Sequence, residues 1–412
     1  MSLPIVRGVR LLHTSDWHLG RLMDKASLLD EQAAAIDRTV EIARAAQVEL
    51  VVISGDLYDR AIPPAPAVEL FGEALWRLRD TGAQVVAISG NHDSASRVGF
   101  ADQLLARTGV TVRADVRRAA EPVIVPSAEG GAVAVYPIPY LDPLSVAPLL
   151  PPAQEPADGA IDGAAPSSRP GHVQVLDWAL ARARAHRTSA QGAGLRSVVV
   201  AHAFVTNTAT PAAVSTSERE LSIGGADQVE TQLFDGFDYV ALGHLHGPQS
   251  WDGGRVAYSG TPLPYSFSEE HHTKGVRLVH LDADGGCSTE HVPLGVGRAL
   301  RTLTGTLEQL LTDAAHTGAE AARVRAVLTD PVLPSQAMAQ LRRRFPHASE
   351  LVHQPSTAPS PSGPALSSTR VREATPYELT VEFVTEQFGE QPDPAEDELL
   401  RAAVLAATGV GA

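Results

Sequence analysis

Five short apolar runs in the first 250 residues each lead into a polar stretch that carries an aspartate, asparagine or histidine. Residues 50–53 are the clearest case, because Leu-Val-Val-Ile stops abruptly at Ser54, Gly55 and Asp56. Such a run is typical of a strand that is buried on both faces. Helical patterns over residues 27–47 and 68–79 separate the first three runs. The alternation predicts a layered α/β fold in which central β-sheets, with a substantial parallel component, are flanked by helices.

The bulk composition is that of a chain with more than one compact unit. Its 412 residues suffice for two or more domains, and 44% of them are hydrophobic. No apolar run reaches the roughly 18 residues that span a bilayer, and the first residues lack the pattern of a signal peptide. The chain has a single cysteine, Cys287, which has no partner for an internal disulfide. We therefore expect a cytoplasmic protein that does not enter a membrane.

The charge balance limits the kinds of partner. A net charge of −15 argues against a general nucleic-acid coat protein, which would be basic. It does not exclude DNA, because metal ions neutralise phosphates locally and a partner can supply a basic surface. Arginine carries the positive charge, since the only lysines are Lys25 and Lys274.

Changes of pattern divide the chain into four regions. Residues 1–296 hold the five runs, and within them residues 145–172, rich in Ala, Pro, Gly and Ser, predict a mobile insertion. Strand and helix patterns restart near residue 297 and predict a small α/β module over residues 297–353. A Ser/Pro-rich linker is predicted over residues 354–372, and a pair of helices over residues 373–412.

Three helix starts in the last third of the chain carry local signals. Thr306 and Gln309 have the spacing of a capping box. Pro376 and Pro394 stand where a proline is favoured, at the first position of a helix.

Seven side chains at the ends of the apolar runs are candidate metal ligands. They are Asp16, His18, Asp56, Asn91, His202, His244 and His246. Because ligands bind beyond the carboxyl ends of strands in open α/β sheets, we expect these residues to converge. Carboxylates, imidazoles and an amide oxygen suit Mn²⁺, Fe²⁺ or Zn²⁺ better than Ca²⁺.

Seven ligands are too many for one ion and suit two. Two ions about 3.5–4 Å apart clamp a phosphodiester and activate water for in-line attack, and Asp56 could give one oxygen to each. His92 is then not needed as a ligand, so we expect it to protonate the leaving oxygen or to stabilise developing charge. Asp93 is expected to orient His92 by accepting its other N–H.

The order of the motifs resembles calcineurin-like metallophosphoesterases. The motifs are Asp16-x-His18, Gly55-Asp56-x-x-Asp59, Gly90-Asn91-His92-Asp93, Ala201-His202 and Gly243-His244-x-His246. Within that superfamily, residues 14–20, 55–59, 217–220 and 258–267 are similar to the SbcD family of bacterial nuclease subunits. The matches together span about residues 9–281.

The resemblance implies a catalytic site with two Mn²⁺ ions, in which His92 is the catalytic histidine. One ion would be held by Asp16, His18, Asp56 and His246, and the other by Asp56, Asn91, His202 and His244. The implied activity is that of a DNA nuclease, a 3′→5′ exonuclease on double-stranded ends and an endonuclease on hairpin or single-stranded DNA. Candidate phosphate contacts flank the motifs at Arg21, Lys25, Arg60 and Arg97.

The resemblance also implies partners. It implies a homodimer and an SbcC-like ATPase, a coiled-coil subunit of the SMC type, with roles in DNA repair, recombination and replication. Residues 297–353 would be a capping domain, and the helices after residue 373 would dock on the coiled coil of the partner.

Two other functions stay open. A small-molecule phosphodiesterase of the same superfamily, acting on cyclic nucleotides, would not need the extra module or the terminal helices. A non-catalytic DNA-end tether with a decayed centre should have lost ligands, and every ligand position is filled here.

Overall fold

The computed structural model describes residues 8–128, 131–151, 170–218, 228–283, 286–355, 375–388 and 391–408. Most of the predicted insertion and of the predicted linker lies outside these ranges, at residues 152–169 and 356–374. The ends of the insertion that are described are regular: Pro143–Val146 and Ala147–Leu149 are short helical turns, and His172 begins a helix.

The first of two six-stranded sheets contains most of the N-terminal strands. Its strands are β1 (Gly8–Thr14), β4 (Leu50–Ser54), β5 (Gln84–Ile88), β6 (Val110–Arg113), β15 (Gly275–Asp282) and β16 (Cys287–Pro293). The spatial order is β16-β15-β1-β4-β5-β6. Strands β1, β4, β5 and β6 are parallel, whereas β15 pairs antiparallel with both β1 and β16.

The second sheet follows from residue 123 onward. Its strands are β7 (Val123–Pro126), β8 (Ala132–Ile138), β9 (Arg196–His202), β12 (Tyr239–Gly243), β13 (Gln249–Trp251) and β14 (Val256–Tyr258), in the order β13-β14-β12-β9-β8-β7. The four central strands are parallel and the two edge strands antiparallel. Two further pairs are short: β2 (Leu22–Met23) with β3 (Ala26–Ser27), and β10 (Val205–Thr206) with β11 (Val229–Glu230).

The two sheets pack face to face, and helices cover their outer faces. In β4, Leu50 and Val52 point to the second sheet while Val51 and Ile53 point to the helices, so the whole run is buried. Helices Leu29–Ala45 and Ala65–Asp80 cover the first sheet, and helix His172–Thr188 covers the second. The predicted layered α/β fold with central sheets flanked by helices is therefore confirmed.

Shorter helical segments connect the layers. The α-helical ones are Ala95–Val98 and Asp102–Leu105, in addition to Pro143–Val146. The 3₁₀ turns are Ala106–Thr108, Val116–Arg118, Ala147–Leu149, Thr231–Phe234, Asp252–Gly254, Phe267–Glu269 and Ala314–Ala319. Among the described residues, no helix has the length and apolar character needed to cross a membrane.

A separate three-stranded parallel sheet follows the two large ones. Its strands are β17 (Leu300–Gly305), β18 (Arg323–Leu328) and β19 (Ala348–His353), and helices Leu307–Thr312 and Ala337–Arg344 accompany it. It has its own apolar cluster, which includes Leu341 and Phe345. The predicted capping box is confirmed, because the N–H of Gln309 donates to Thr306 Oγ1 and Gln309 Oε1 accepts from the N–H of Thr306.

Two helices, Pro376–Phe388 and Pro394–Thr408, end the described chain. Both predicted starts are confirmed, and each is capped by the residue before its proline, Thr375 or Asp393. The guanidinium of Arg401 lies 4.1 Å from the ring centre of Tyr377, which joins the two helices. Apolar side chains stay exposed on the pair, with Leu399 at 70% and Phe383 at 59%.

Candidate metal centre

The seven predicted ligands lie at the carboxyl ends of five parallel strands, where the two large sheets meet. Asp16 and His18 follow β1, Asp56 follows β4 and Asn91 follows β5. On the second sheet, His202 ends β9, and His244 and His246 follow β12. Backbone bonds join neighbouring turns, since the N–H groups of Asp16 and His18 donate to the carbonyls of Gly55 and Asp56, at 3.0 and 2.9 Å.

The backbone at this edge is strained. Four of the seven ligands are non-glycine residues with positive φ: Asp16 (53°), His18 (46°), Asp56 (48°) and His244 (116°). Each such residue costs on the order of 1–3 kcal/mol, a cost that proteins retain mainly at functional sites. Positive φ values at these four positions mark sharp turns directly after the strands.

Two glycines allow the strand ends to approach each other. A Cβ on Gly90 would lie 2.1 Å from Asp56 Oδ1, and a Cβ on Gly55 would lie 2.4 Å from His202 Nδ1. Both distances are well inside van der Waals contact. The cluster therefore requires glycine at both positions.

Asp56 is the centre of the cluster. Its Oδ2 lies 3.6 Å from His18 Nε2 and 3.6 Å from His202 Nε2, and so faces histidines from both sheets. Asp56 is common to both groups of three side chains whose ligand atoms lie within 4.8 Å of one another, one with His18 and His92 and one with Asp16 and His202. The geometry thus allows one carboxylate to serve two neighbouring ions.

Hydrogen bonds at Nδ1 fix two of the histidines. His202 Nδ1–H donates to the carbonyl of Ser54 and His92 Nδ1–H to the carbonyl of Asp59, both at 2.9 Å. The neutral imidazole then has its lone pair at Nε2, on the side of the cluster. His202 Nε2 lies 2.8 Å from Asn91 Oδ1, so two acceptor atoms face each other.

The arrangement fits bound divalent cations. Besides the facing acceptors of His202 and Asn91, His18 Nε2 lies 3.3 Å from His246 Nε2. Positive ions between these atoms would satisfy lone pairs that the protein alone leaves opposed.

Electrostatics support the same conclusion. Burial, with the neighbouring Asp56 charge, raises the pKa of Asp16 well above its usual value. Burial also lowers the pKa values of His18 and His244 well below the ordinary range, which keeps their imidazoles neutral. Neutral imidazoles are the state in which histidine binds metal, and nearby positive ions would favour the ionised form of Asp16, which burial alone disfavours.

The predicted contact between Asp93 and His92 is wrong. The Asp93 carboxylate accepts from the backbone N–H groups of Leu57, Tyr58 and Gly90, at 3.0, 3.0 and 2.8 Å. His92 is oriented instead by the Asp59 carbonyl. The carboxylate is satisfied by three backbone donors, and its effect is to hold the turn after β4 against the turn after β5.

His92 lies at the solvent side of the cluster. Its side chain is 16% exposed, and its Nε2 lies 4.0 Å from Asp56 Oδ2. By contrast, the side chains of His18 and His202 are fully buried. His92 is thus close enough to contact a group that approaches the cluster from solvent.

Of the four predicted phosphate contacts, the structure brings one to the cluster. Arg21 Nη1 donates to Asp59 Oδ1 at 3.1 Å, and its guanidinium lies 5.1 Å from the ring centre of Tyr265. Lys25, Arg60 and Arg97 are exposed on segments that flank the ligand turns.

Of the polar residues around His246, Ser217 and Glu218 belong to the stretch 217–220 that is similar to the SbcD family, whereas Glu269 and Lys274 were missed by the sequence analysis. Glu269 is fully buried and pairs with Lys274, and Ser217 Oγ lies 2.7 Å from His246 Nδ1. Glu218 accepts from the backbone N–H of His246 at 2.6 Å. The rarity of lysine was the one sequence signal that could have pointed to Lys274.

Residues 9–144 match the family model described as calcineurin-like phosphoesterase. The SbcD subunit of the SbcCD nuclease of Staphylococcus saprophyticus is 30% identical over 304 residues, which cover 74% of this chain and 73% of that protein. Together these two matches confirm the family expected from the motifs.

Two solved structures are also similar. TT1561 of Thermus thermophilus has a TM-score of 0.37 at 12% identity and covers 69% of this chain and 99% of that chain. GAP50, the anchor in the inner membrane complex of Plasmodium, has a TM-score of 0.36 at 11% identity and covers 87% and 99%. The family is identified by the family model and by the Staphylococcus relative. On that basis, the chain belongs to the SbcD family of calcineurin-like phosphoesterases and is a phosphodiesterase hydrolase of a family that uses divalent metals.

Proposed function

We propose that this protein is a metal-dependent DNA nuclease, a 3′→5′ exonuclease on double-stranded ends and an endonuclease on hairpin or single-stranded DNA. The observation that carries the proposal is the complete ligand cluster around Asp56, with His92 on its solvent side. The related nuclease subunit, similar over three quarters of this chain, supports DNA as the substrate. We place the activity in the cytoplasm, in line with the single cysteine, which has no partner for an internal disulfide.

Seven residues would hold the two ions, for which we propose Mn²⁺. Asp16, His18, Asp56 and His246 would bind one ion, and Asp56, Asn91, His202 and His244 the other. Bound ions would polarise the phosphodiester and lower the pKa of an attacking water.

His92 would act on the leaving oxygen. The Asp59 carbonyl holds its Nδ1–H, so the ring cannot turn away without losing that bond. In the imidazolium form Nε2 also carries a proton, and that proton would pass to the oxygen that leaves phosphorus. Asp93 would serve as a positioning residue, because it fixes the two turns that carry Asp56 and His92.

A surface groove favours a polymeric substrate over a cyclic nucleotide. The groove has a volume of about 770 Å³, and its lining includes Asn91, Asp93, Asp115, Arg117 and Tyr140. A cyclic nucleotide would need only the space beside the ligands, whereas a nucleic-acid strand would continue along such a groove. Arg21, Lys25, Arg60 and Arg97 stay candidate phosphate contacts.

The terminal helices would bind an SbcC-like ATPase, as the name of the related protein suggests. Exposed Phe383, Leu399 and Leu405 on these helices support this, because apolar groups grouped on a surface commonly mark an interface. The β17–β19 module would be the capping domain. It is held to the phosphoesterase body by Glu31, which accepts from Arg323 Nη2 at 2.7 Å and from Arg298 Nη1 at 3.0 Å.

A second copy of the chain would cover another apolar surface. On helix Ala65–Asp80, Val68 and Trp76 are 46% and 68% exposed, and they share a face because eight residues separate them. Phe100 and Leu104, at 82% and 68%, lie on the next segments along the same sheet. We propose that these side chains form the homodimer interface.

Digestion of defined DNA substrates tests the proposal. Purified protein would be incubated with blunt duplex, hairpin and single-stranded DNA, with Mn²⁺ or with chelator, and separately with a cyclic nucleotide. We expect Mn²⁺-dependent shortening of the duplex and cutting of the hairpin loop. Turnover of the cyclic nucleotide without action on DNA would contradict the proposal. Because the chain is acidic, DNA affinity without the ATPase should be weak and should fall with salt.

A further inference from the structure

A buried ion pair lies behind His246, on the Nδ1 side of its ring. Glu269 is fully buried, and Lys274 is 9% exposed. Lys274 Nζ lies 2.5 Å from Glu269 Oε2 and also donates to the His246 carbonyl and to Thr261 Oγ1, both at 2.8 Å. A buried ion pair pays a large desolvation cost, and an apolar pair of similar volume is often as stable. Fold stability alone therefore does not explain why a buried ion pair occurs at this position.

Glu269 contacts the imidazole of His246 directly and through Ser217. Its Oε1 lies 3.3 Å from His246 Nδ1 and accepts a hydrogen bond from the Ser217 hydroxyl. Because Ser217 gives its proton to the carboxylate, its Oγ, 2.7 Å from His246 Nδ1, accepts from the Nδ1–H. The proton is thus held on Nδ1, and the lone pair is left on Nε2, 3.3 Å from His18 Nε2.

The choice of lysine at position 274 supports a geometric requirement. Of the 33 lysines and arginines in the chain, only Lys25 and Lys274 are lysines. The compact ammonium of Lys274 donates to three acceptors that lie in different directions, which a planar guanidinium does not match. In a chain this rich in arginine, a buried lysine indicates a site that arginine cannot fill.

We propose that Glu269, held in place by Lys274, is a positioning residue that fixes the tautomer and orientation of His246 for metal binding. The inference rests on the proposed function in one respect, that His246 is a metal ligand, and it does not depend on DNA being the substrate. Without the Glu269 carboxylate, this contact would no longer hold the proton of His246 on Nδ1 or fix the orientation of the ring. One of the two ions should then bind about 10–100-fold more weakly, as is usual when the partner of a ligating histidine is lost.

Calorimetric titration with Mn²⁺ of the full-length protein tests this. The variants are Glu269→Gln, which keeps the size of the side chain, and the double variant Glu269→Gln/Lys274→Met, which removes both charges. We expect the wild type to bind two ions, and both variants to keep one at wild-type affinity and to bind the other about 10–100-fold more weakly. The double variant should unfold near the wild-type temperature, because it leaves no unpaired buried charge. If it bound both ions like the wild type, the pair would serve stability alone and the inference would be wrong.

Glu270→Gln is the matched control. Glu270 is the next residue, and its Oε2 accepts from Thr302 Oγ1 at 2.6 Å, away from His246. The Glu270→Gln variant should bind both ions with wild-type affinity. An equal loss of Mn²⁺ affinity in this variant would show general disruption of the segment and would overturn the inference. A wild type that bound fewer than two ions would overturn it as well. A wild type that bound two ions but left DNA intact would contradict only the proposed function.

Discussion

His92 Nδ1 lies 2.9 Å from the carbonyl oxygen of Asp59, and this bond sets the direction of the imidazole. The second nitrogen, Nε2, is consequently turned toward Asp56, at 4.0 Å from Oδ2. A histidine held in this way can exchange a proton at one defined atom. Its partial exposure places that atom where the buried cluster around Asp56 meets solvent.

Replacing His92 by alanine should separate chemistry from metal binding. We expect DNA cleavage to fall about 10²–10⁴-fold, the usual contribution of a general acid or base, while two Mn²⁺ ions still bind. Initial cleavage rates and calorimetric titration would measure the two effects. His271→Ala is the control, because that side chain is 86% exposed and should change neither quantity. Unchanged cleavage would exclude the proposed role, and loss of an ion would make His92 a ligand.

Alanine at Gly90 should disturb Asp56 without removing any ligand. The new Cβ would lie 2.1 Å from Asp56 Oδ1 and 2.3 Å from the Asp56 backbone nitrogen, so the carboxylate or the turn must shift. A shift of about 1 Å costs on the order of 10²-fold in rate, and we expect at least that loss, together with weaker Mn²⁺ binding. Gly318→Ala, where nothing lies within 4 Å of the new Cβ, should leave both properties unchanged. Wild-type cleavage by the Gly90 variant would show that Asp56 need not hold its observed position.

Glutamate at Trp76 should dissociate the proposed homodimer. The side chain is 68% exposed on helix Ala65–Asp80, and a charge there would have to be buried against a second copy. Light scattering coupled to size-exclusion chromatography should then give a mass near the 43.4 kDa of one chain, and about twice that for the wild type. Val332→Glu, at a position that is 79% exposed on the β17–β19 module, should remain dimeric. A dimeric Trp76 variant would place the interface elsewhere.

Glu31 should make the attachment of the β17–β19 module depend on pH. Burial alone would raise the pKa of this carboxyl, but the N–H of Arg298 and the guanidinium of Arg323 outweigh it and hold the pKa below its ordinary value of 4.5. A carboxyl with a lowered folded-state pKa contributes stability above its ordinary pKa and loses it as pH falls. The unfolding temperature should therefore be higher for the wild type than for Glu31→Gln at pH 7, and the difference should shrink below pH 4.5.

Glu41→Gln is the matched control for that comparison. Glu41 forms an exposed pair with Arg38, and such pairs contribute little to stability. Glu41→Gln should change the unfolding temperature only slightly at every pH. The proposed role of the Glu31 carboxylate would be contradicted if the difference in unfolding temperature between the wild type and Glu31→Gln stayed constant as pH fell.

The central strands were predictable because their signal is local. In β4 and β12 every side chain is buried, and in β1, β5 and β9 most are, so the sequence shows short runs rich in apolar residues that lead to the candidate ligands. Strand β4, Leu50–Ser54, begins at the first residue of the predicted run 50–53 and ends one residue beyond it. The helix starts at Thr306, Pro376 and Pro394 were likewise set by neighbouring residues.

Edge strands and contacts between distant residues were not predictable in this way. Strand β16, Cys287–Pro293, alternates partly buried and exposed side chains at the edge of its sheet, so no apolar run marks it. The bond from His92 to Asp59 uses a backbone carbonyl, which any residue would provide. Glu269 lies in the 3₁₀ turn Phe267–Glu269 and contacts His246 across 23 residues of sequence, and no local pattern indicates that contact.

The number of Mn²⁺ ions bound per chain tests the central claim, that Asp56 is shared by two ions. Calorimetric titration or metal analysis after gel filtration would compare the wild type with Asp56→Ala and His18→Ala. Asp56 Oδ2 lies 3.6 Å from a histidine of each sheet, whereas His18 lies on one side only. We predict two ions for the wild type, none held tightly by Asp56→Ala, and one by His18→Ala. An Asp56→Ala protein that kept one ion at wild-type affinity would contradict the account.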